Sequence, residues 1–175
     1  MSPMRWRRWQ SVPRGLPREA MLRTLRTFAG LEHRCQWVAE KGGVAWFNDS
    51  KGTNVGATVA ALNGLGPTLA PDAGIVLIAG GDGKGAEFVE LDAPLTRYGR
   101  ALVLIGRDAP RVDAAVTGLG SKVHAGSMQD AVARAAALAR PGDVVLLSPA
   151  CASFDMFSGY ADRGRQFVDA VGRLE

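Results

Sequence analysis

The stretch IVLIAGGDGKG, Ile75–Gly85, decides the reading of the fold. A short apolar run, rich in β-branched side chains, leads straight into a glycine-dense loop carrying one acid and one lysine. A run of this length suits a strand and falls far short of the roughly 18 to 20 residues that cross a bilayer. Working outward, the same kind of run recurs at Gln36–Ala39, Val44–Asn48, Ala101–Ile105, Lys122–His124 and Val144–Leu147. Lys41, Gly42 and Gly43 join the first two tightly, which predicts an antiparallel hairpin at one sheet edge. Longer stretches separate the later runs, so those strands are expected to be parallel.

Helical patterns fill the intervals. Met128, Ala131, Val132, Ala135, Ala136, Leu138 and Ala139 recur at spacings of three and four, and Ser127 followed by Asp130 resembles a capping box. That predicts a helix over Ser127–Arg140, ended by Pro141 and Gly142, with Asp143 opening the next strand. Further helices are predicted at Arg18–Phe28, Asn54–Leu62, Pro110–Val116 and Asp162–Arg173. The fold class is therefore α/β, with six strands, a mostly parallel sheet and one antiparallel edge hairpin.

A chain of 175 residues that is 47% hydrophobic suits one domain with one substantial core. Cys35 and Cys151 are far apart and match neither a zinc spacing nor a disulfide framework, so a reducing cytoplasm is the expected setting. No apolar run is long enough for a transmembrane segment, and no apolar region follows Arg5, Arg7 and Arg8 as in a secretory signal. The net charge is +4, but residues 1–34 hold eight arginines against Glu19 and Glu32. The rest of the chain is slightly acidic, which argues against a nucleic-acid-binding face.

Ligands of open parallel sheets bind beyond the carboxyl ends of strands. Three loops in such places concentrate polar residues: NDSKGTN at Asn48–Asn54, GGDGKG at Gly80–Gly85, and SPACASFD at Ser148–Asp155. The glycine loop is no P-loop, because Ile78 and Gly85 stand where that motif requires Gly and Ser or Thr. A dinucleotide fingerprint fails on spacing, which opposes a free-standing nucleotide-binding Rossmann domain. What remains are exposed backbone N–H groups and Lys84, suited to an anion such as a carboxylate.

Each feature also has a plain structural reading. Gly80–Gly85 could be a strand-to-helix turn with a solvated lysine. Asp49 and Lys51 could form a surface ion pair at a helix start, with Thr53 or Asn54 as N-cap. Cys151 lacks a nearby base and reads as a small buried residue, while Trp37 and Trp46 read as core or partly buried packing residues.

Taken in order, these loops resemble the carboxy-terminal domain of the Mur ligase family, on its D-glutamate-adding branch. The matching stretches are GLEHR at Gly30–Arg34, the three loops above, Phe157, and the pair Arg163 and Gly164. The likeness runs from about Gly15 to the end. It implies a Rossmann-like six-stranded sheet with helices on both faces over residues 34–175, led by a helix and linker at 15–33. Residues 1–14, which hold Trp6 and Trp9, match nothing in the family and are set apart as a basic leader, read as the start of a truncated frame. Contact with an anionic membrane surface is the other reading of that leader.

In this family ATP phosphorylates a precursor carboxylate, and the amine of the incoming amino acid attacks the acyl phosphate. The resemblance implies ATP-dependent addition of D-glutamate to UDP-N-acetylmuramoyl-L-alanine. It assigns Thr53 and Lys84 to the carboxylates of D-glutamate, with Ser153, Phe154 and Tyr160 completing the pocket. Phe154 and Tyr160 stand where the family often has Leu and Phe. It assigns Arg34, Asp49 and Lys51 to ATP. The magnesium ligands, the P-loop and two further domains of a complete ligase are expected outside these 175 residues, so the chain alone is expected to be inactive. A different reading is a non-catalytic module that holds an acidic amino acid or docks on another protein.

Overall fold

The computed structural model describes residues 31–174. The predicted helix at Arg18–Phe28, the leader at 1–14 and most of the lead-in at 15–33 lie outside the described residues. Among these residues six strands form one sheet: β1 (Gln36–Lys41), β2 (Val44–Asn48), β3 (Ile75–Gly80), β4 (Gly99–Ile105), β5 (Lys122–His124) and β6 (Val144–Leu147). Their spatial order is β1-β2-β6-β3-β4-β5. Only β1 runs antiparallel to its neighbour, joined to β2 through Gly42 and Gly43 at φ 58° and 76°. Two successive positive φ values give the turn the twist a two-residue hairpin needs, and glycine supplies them without strain.

Among the described residues five α-helices accompany the sheet: α1 (Val55–Leu65), α2 (Asp92–Tyr98), α3 (Ala109–Ala115), α4 (Met128–Leu138) and α5 (Tyr160–Gly172). Strand alternation sorts them into two layers. Ile75, Leu77 and Ala79 of β3 pack with Leu62 of α1, Leu95 of α2 and Val112 of α3. Val76 and Ile78 pack with Met128 and Val132 of α4 and Phe167 of α5. Both faces of β3 and β6 are buried, as expected for central parallel strands covered on two sides.

The capping chemistry predicted for α4 forms in part. Ser127 Oγ accepts from the Asp130 N–H at 3.1 Å, while Asp130 reaches back to the N–H of Gly126 and not to that of Ser127. Below the sheet, Asp143 accepts from the N–H groups of Gly74 and Arg140 and from the Arg100 guanidinium, at 2.7 to 2.9 Å. Burial raises its carboxyl, but these donors outweigh that and hold it below the ordinary range.

Two expectations are corrected. Trp46 is buried against Phe167, but Trp37 is 60% exposed. Trp37 sits on the outermost strand, beside an irregularity between Trp37 and Ala39 that shifts the register with β2. The other correction is α2, which the periodicity did not reveal. It is seven residues long with Pro94 inside it, too short for an apolar stripe, and tertiary burial of Leu91 and Leu95 holds it in place.

Candidate functional site

The sheet order sets the three polar loops side by side. β6 inserts between β2 and β3, so the loop at Ser148–Asp155 lies between Asn48–Asn54 and Gly80–Gly85. The connection after β6 passes to the opposite face from those after β2 and β3, which creates the switch-point crevice where α/β ligands bind.

Backbone hydrogen bonds stitch the loops together. On one side Asp49 N–H donates to Leu147 O at 2.7 Å and Ala150 N–H to Gly52 O at 3.0 Å. On the other, Gly80 N–H donates to Pro149 O, and Asp82 and Ala152 exchange bonds at 3.0 and 2.8 Å. The approach is so close that a Cβ on Gly80 would overlap Ile105 O, and one on Gly81 would overlap Ala152 O. His33, Cys35, Lys84 and Ala150 are the four non-glycine residues with positive φ among the described residues. All four sit in or against these loops, the kind of clustered backbone strain that marks working sites.

Asp49 is 8% exposed and has no cation within ion-pair distance among the described residues, so the surface pair with Lys51 does not form. Its Oδ1 accepts from Cys35 N–H at 3.1 Å and its Oδ2 from Ser148 Oγ at 2.7 Å. Burial raises the Asp49 carboxyl, against the opposing pull of these donors and of Arg34. The Cys35 thiol is pushed up to about 12 by desolvation and by the neighbouring Asp49 charge, which keeps it protonated. Lys51 turns toward Tyr160, with Nζ 3.8 Å from the ring centroid, and His33 meets the same ring edge-on.

Arg34, Asp49 and Lys51 line one cavity of about 310 Å³, together with Cys35 and Gly52. The other candidates are more dispersed. Tyr160 lines a concavity of about 400 Å³ with His33, Gln36 and Arg165. Phe154, 72% exposed, borders an open one of about 720 Å³ with Gly106, Arg107, Asp155 and Met156. Thr53, Lys84 and Ser153 line none of these three, and loop stitching is what relates them. Lys84 is exposed, its N–H donating to Asp82 Oδ1 at 3.0 Å, on a loop pinned to Ala152 next to Ser153. Gly80–Gly85 is no strand-to-helix turn, because α2 starts only at Asp92. Asn54 is the N-cap of α1, accepting from Ala57 N–H, which leaves the Thr53 hydroxyl out of the cap.

A family profile described as Mur ligase, glutamate ligase domain, matches residues 33–151. The chain belongs to the Mur ligase family. Among curated relatives, the UDP-N-acetylmuramoylalanine–D-glutamate ligase of Pseudomonas fluorescens (strain Pf0-1) is 59% identical over 160 residues, covering 91% of this chain and 35% of the relative. The protein of that name from Acinetobacter baylyi is 53% identical over 161 residues, covering 91% of this chain and 36% of the relative. The chain thus spans about a third of the length of the curated relatives it matches. The structure of MurF ligase from Thermotoga maritima in complex with ADP matches with a TM-score of 0.56 at 15% identity, over 86% of this chain and 35% of that one, a likeness of fold alone.

Within this Mur ligase domain, several supporting residues carried no assigned role from sequence. Ser148 orients Asp49, and Thr58 backs Ser148 with its hydroxyl 3.0 Å away. Asn48, fully buried, bonds to His33 Nδ1, Gly164 O and Ser50 N–H. Gly164 leaves room for the His33 ring, which a Cβ there would overlap. For two of them the signal is a polar residue at the end of an apolar strand, Asn48 closing β2 and Ser148 following β6.

Proposed function

We propose that the chain forms the D-glutamate-binding part, residues 34–175, of a UDP-N-acetylmuramoylalanine–D-glutamate ligase, and works in the cytoplasm on peptidoglycan precursors. The observation that carries this reading is the 59% identity to a relative of that name over 91% of the chain. A match over 160 of the 175 residues takes in all three loops that converge on the crevice.

Thr53 and Lys84 are proposed to hold the carboxylates of D-glutamate, and Ser153, Phe154 and Tyr160 to shape its pocket. A dicarboxylate amino acid needs donors at two ends, which a hydroxyl and an ammonium on neighbouring loops supply. ATP is proposed to approach from the side of Arg34, Asp49 and Lys51. The cavity there fits that role: two cations suit phosphate, and each oxygen of Asp49 accepts one bond and keeps a lone pair for a hydroxyl. The phosphate cradle, the magnesium ligands and the site for UDP-N-acetylmuramoyl-L-alanine are proposed to lie in the parts of the ligase beyond these residues. No helix among the described residues is long and apolar enough to cross a membrane.

The test is a fusion in which this chain, from residue 31 on, replaces the matching third of the Pseudomonas fluorescens ligase. Phosphate release that depends on D-glutamate and precursor together is the expected result. A folded fusion that binds ATP yet ignores D-glutamate contradicts the reading.

A further inference from the structure

Arg163, in the first turn of α5, is fully buried. Its guanidinium donates from Nε to Ser50 Oγ at 3.0 Å, from Nη2 to Ser50 O at 2.8 Å and from Nη1 to Cys151 O at 3.2 Å. All three acceptors are uncharged, and among the described residues no carboxylate lies within ion-pair distance of it. Burial lowers its pKa to about 10, which leaves the group protonated at neutral pH. A buried cation without a paired anion works against folding, and an apolar side chain of similar volume would fill the space without that penalty. What an apolar residue cannot do is bond two loops at once, which the planar five-donor fork does.

The two loops it joins are the two halves of the site. Ser50 lies between Asp49 and Lys51, on the side read as facing the nucleotide, and Cys151 lies two residues before Ser153, on the side read as facing the amino acid. Ser50 extends the connection, since its Oγ donates to Tyr160 O at 2.7 Å while accepting from Arg163. The next residue, Gly164, packs under His33, whose carbonyl holds the N–H of Lys51 at 3.0 Å.

We propose that Arg163 is a positioning residue whose fork sets the spacing between the loop of Asp49 and Lys51 and the loop of Ser153, and so couples the two halves of the site. The coupling of ligands rests on the D-glutamate and ATP reading above; the spacing of the loops does not. Arg163→Lys keeps a charge but cannot bridge both loops with the same fork, and Arg163→Met keeps the bulk alone.

Amide hydrogen exchange on the 175-residue chain separates positioning from plain stability. Both variants are expected to lose protection by tenfold or more at Asp49 and Ala150, whose N–H groups cross between the loops, with Leu77 and Val103 in the core changing by less than twofold. In the fused ligase, both are expected to raise the KM for ATP and lower kcat/KM for D-glutamate by about tenfold each. Unchanged loop protection in Arg163→Met overturns the proposal. So does an equal loss at Leu77 and Val103, or failure of both variants to fold, either of which makes the role purely structural. Rescue of both readouts by Arg163→Lys overturns the fork in favour of charge. If the unsubstituted fusion does not use D-glutamate, the reading of the site fails while the exchange result still decides the role of Arg163.

Discussion

At the scale of single residues, Gly80 and Asp49 show two kinds of constraint. Gly80 has φ 119°, and a Cβ there would overlap the carbonyl oxygen of Ile105 in the neighbouring strand. Gly80→Ala is therefore expected to destabilise the chain by more than about 3 kcal/mol, read as a lowered urea midpoint, since backbone strain and overlap act together. Asp49 behaves in the opposite sense. Its carboxyl is raised in the folded chain, so ionising it at neutral pH opposes folding, and that penalty disappears as pH falls below the ordinary carboxylate range. Asp49→Asn is expected to raise the urea midpoint modestly at pH 7 and to leave it unchanged near pH 3. Equal midpoints at pH 7 would count against a strained acid kept for function. The sequence made Asp49 legible as a polar residue past a strand end. It could not show burial or the bond to Ser148, because those partners lie 99 positions apart.

At the scale of elements, strands were more legible than helices. Apolar runs located every strand within about two residues, most clearly β3 and β6, which are buried on both faces and leave little else in the sequence. The strand ends that were missed are glycine or polar residues carried into the sheet by pairing: Gly80 and Gly99–Arg100 where β3 meets β4, and Glu40–Lys41 where β1 meets β2. Helix α2 escaped because its short length gives no periodicity. The lower end of the sheet depends on Asp143, whose four hydrogen bonds join the starts of β3, β4 and β6. Its carboxyl is held low, so the stability it contributes is present above the unfolded value near 3.9 and lost as pH falls through the folded one. Asp143→Ala is expected to cost about 3 kcal/mol at pH 7, from unpaired donors and a stranded Arg100, with the gap to the parent closing below about pH 4. Urea midpoints measured from pH 2 to 7 check both the size and the direction.

At the scale of the whole molecule, the decisive feature was not legible in the sequence. Periodicity orders strands along the chain, and only tertiary packing inserts β6 between β2 and β3 to bring the loops together. The resemblance to Mur ligases supplied the grouping before the geometry did, because it rests on the joint order of the motifs. Phosphoryl transfer relies on a phosphate cradle and metal site, and these 175 residues contain no P-loop sequence. The purified chain is therefore expected to release no phosphate from ATP above background, even with precursor, magnesium and D-glutamate present; coupled release would place the chemistry within the chain. The D-glutamate assignment turns most on Lys84, an exposed lysine at φ 51° on a loop pinned beside Ser153. Closure of a complete ligase over it would desolvate its ammonium and strengthen a charge-assisted bond to roughly 1.5 to 3 kcal/mol. The most direct measurement is steady-state kinetics of Lys84→Ala in the fused ligase, with each substrate varied in turn. The expected result is a fall of about one to two orders of magnitude in kcat/KM for D-glutamate with little change in the KM for ATP. Near-normal D-glutamate kinetics, or a loss confined to ATP, would contradict it.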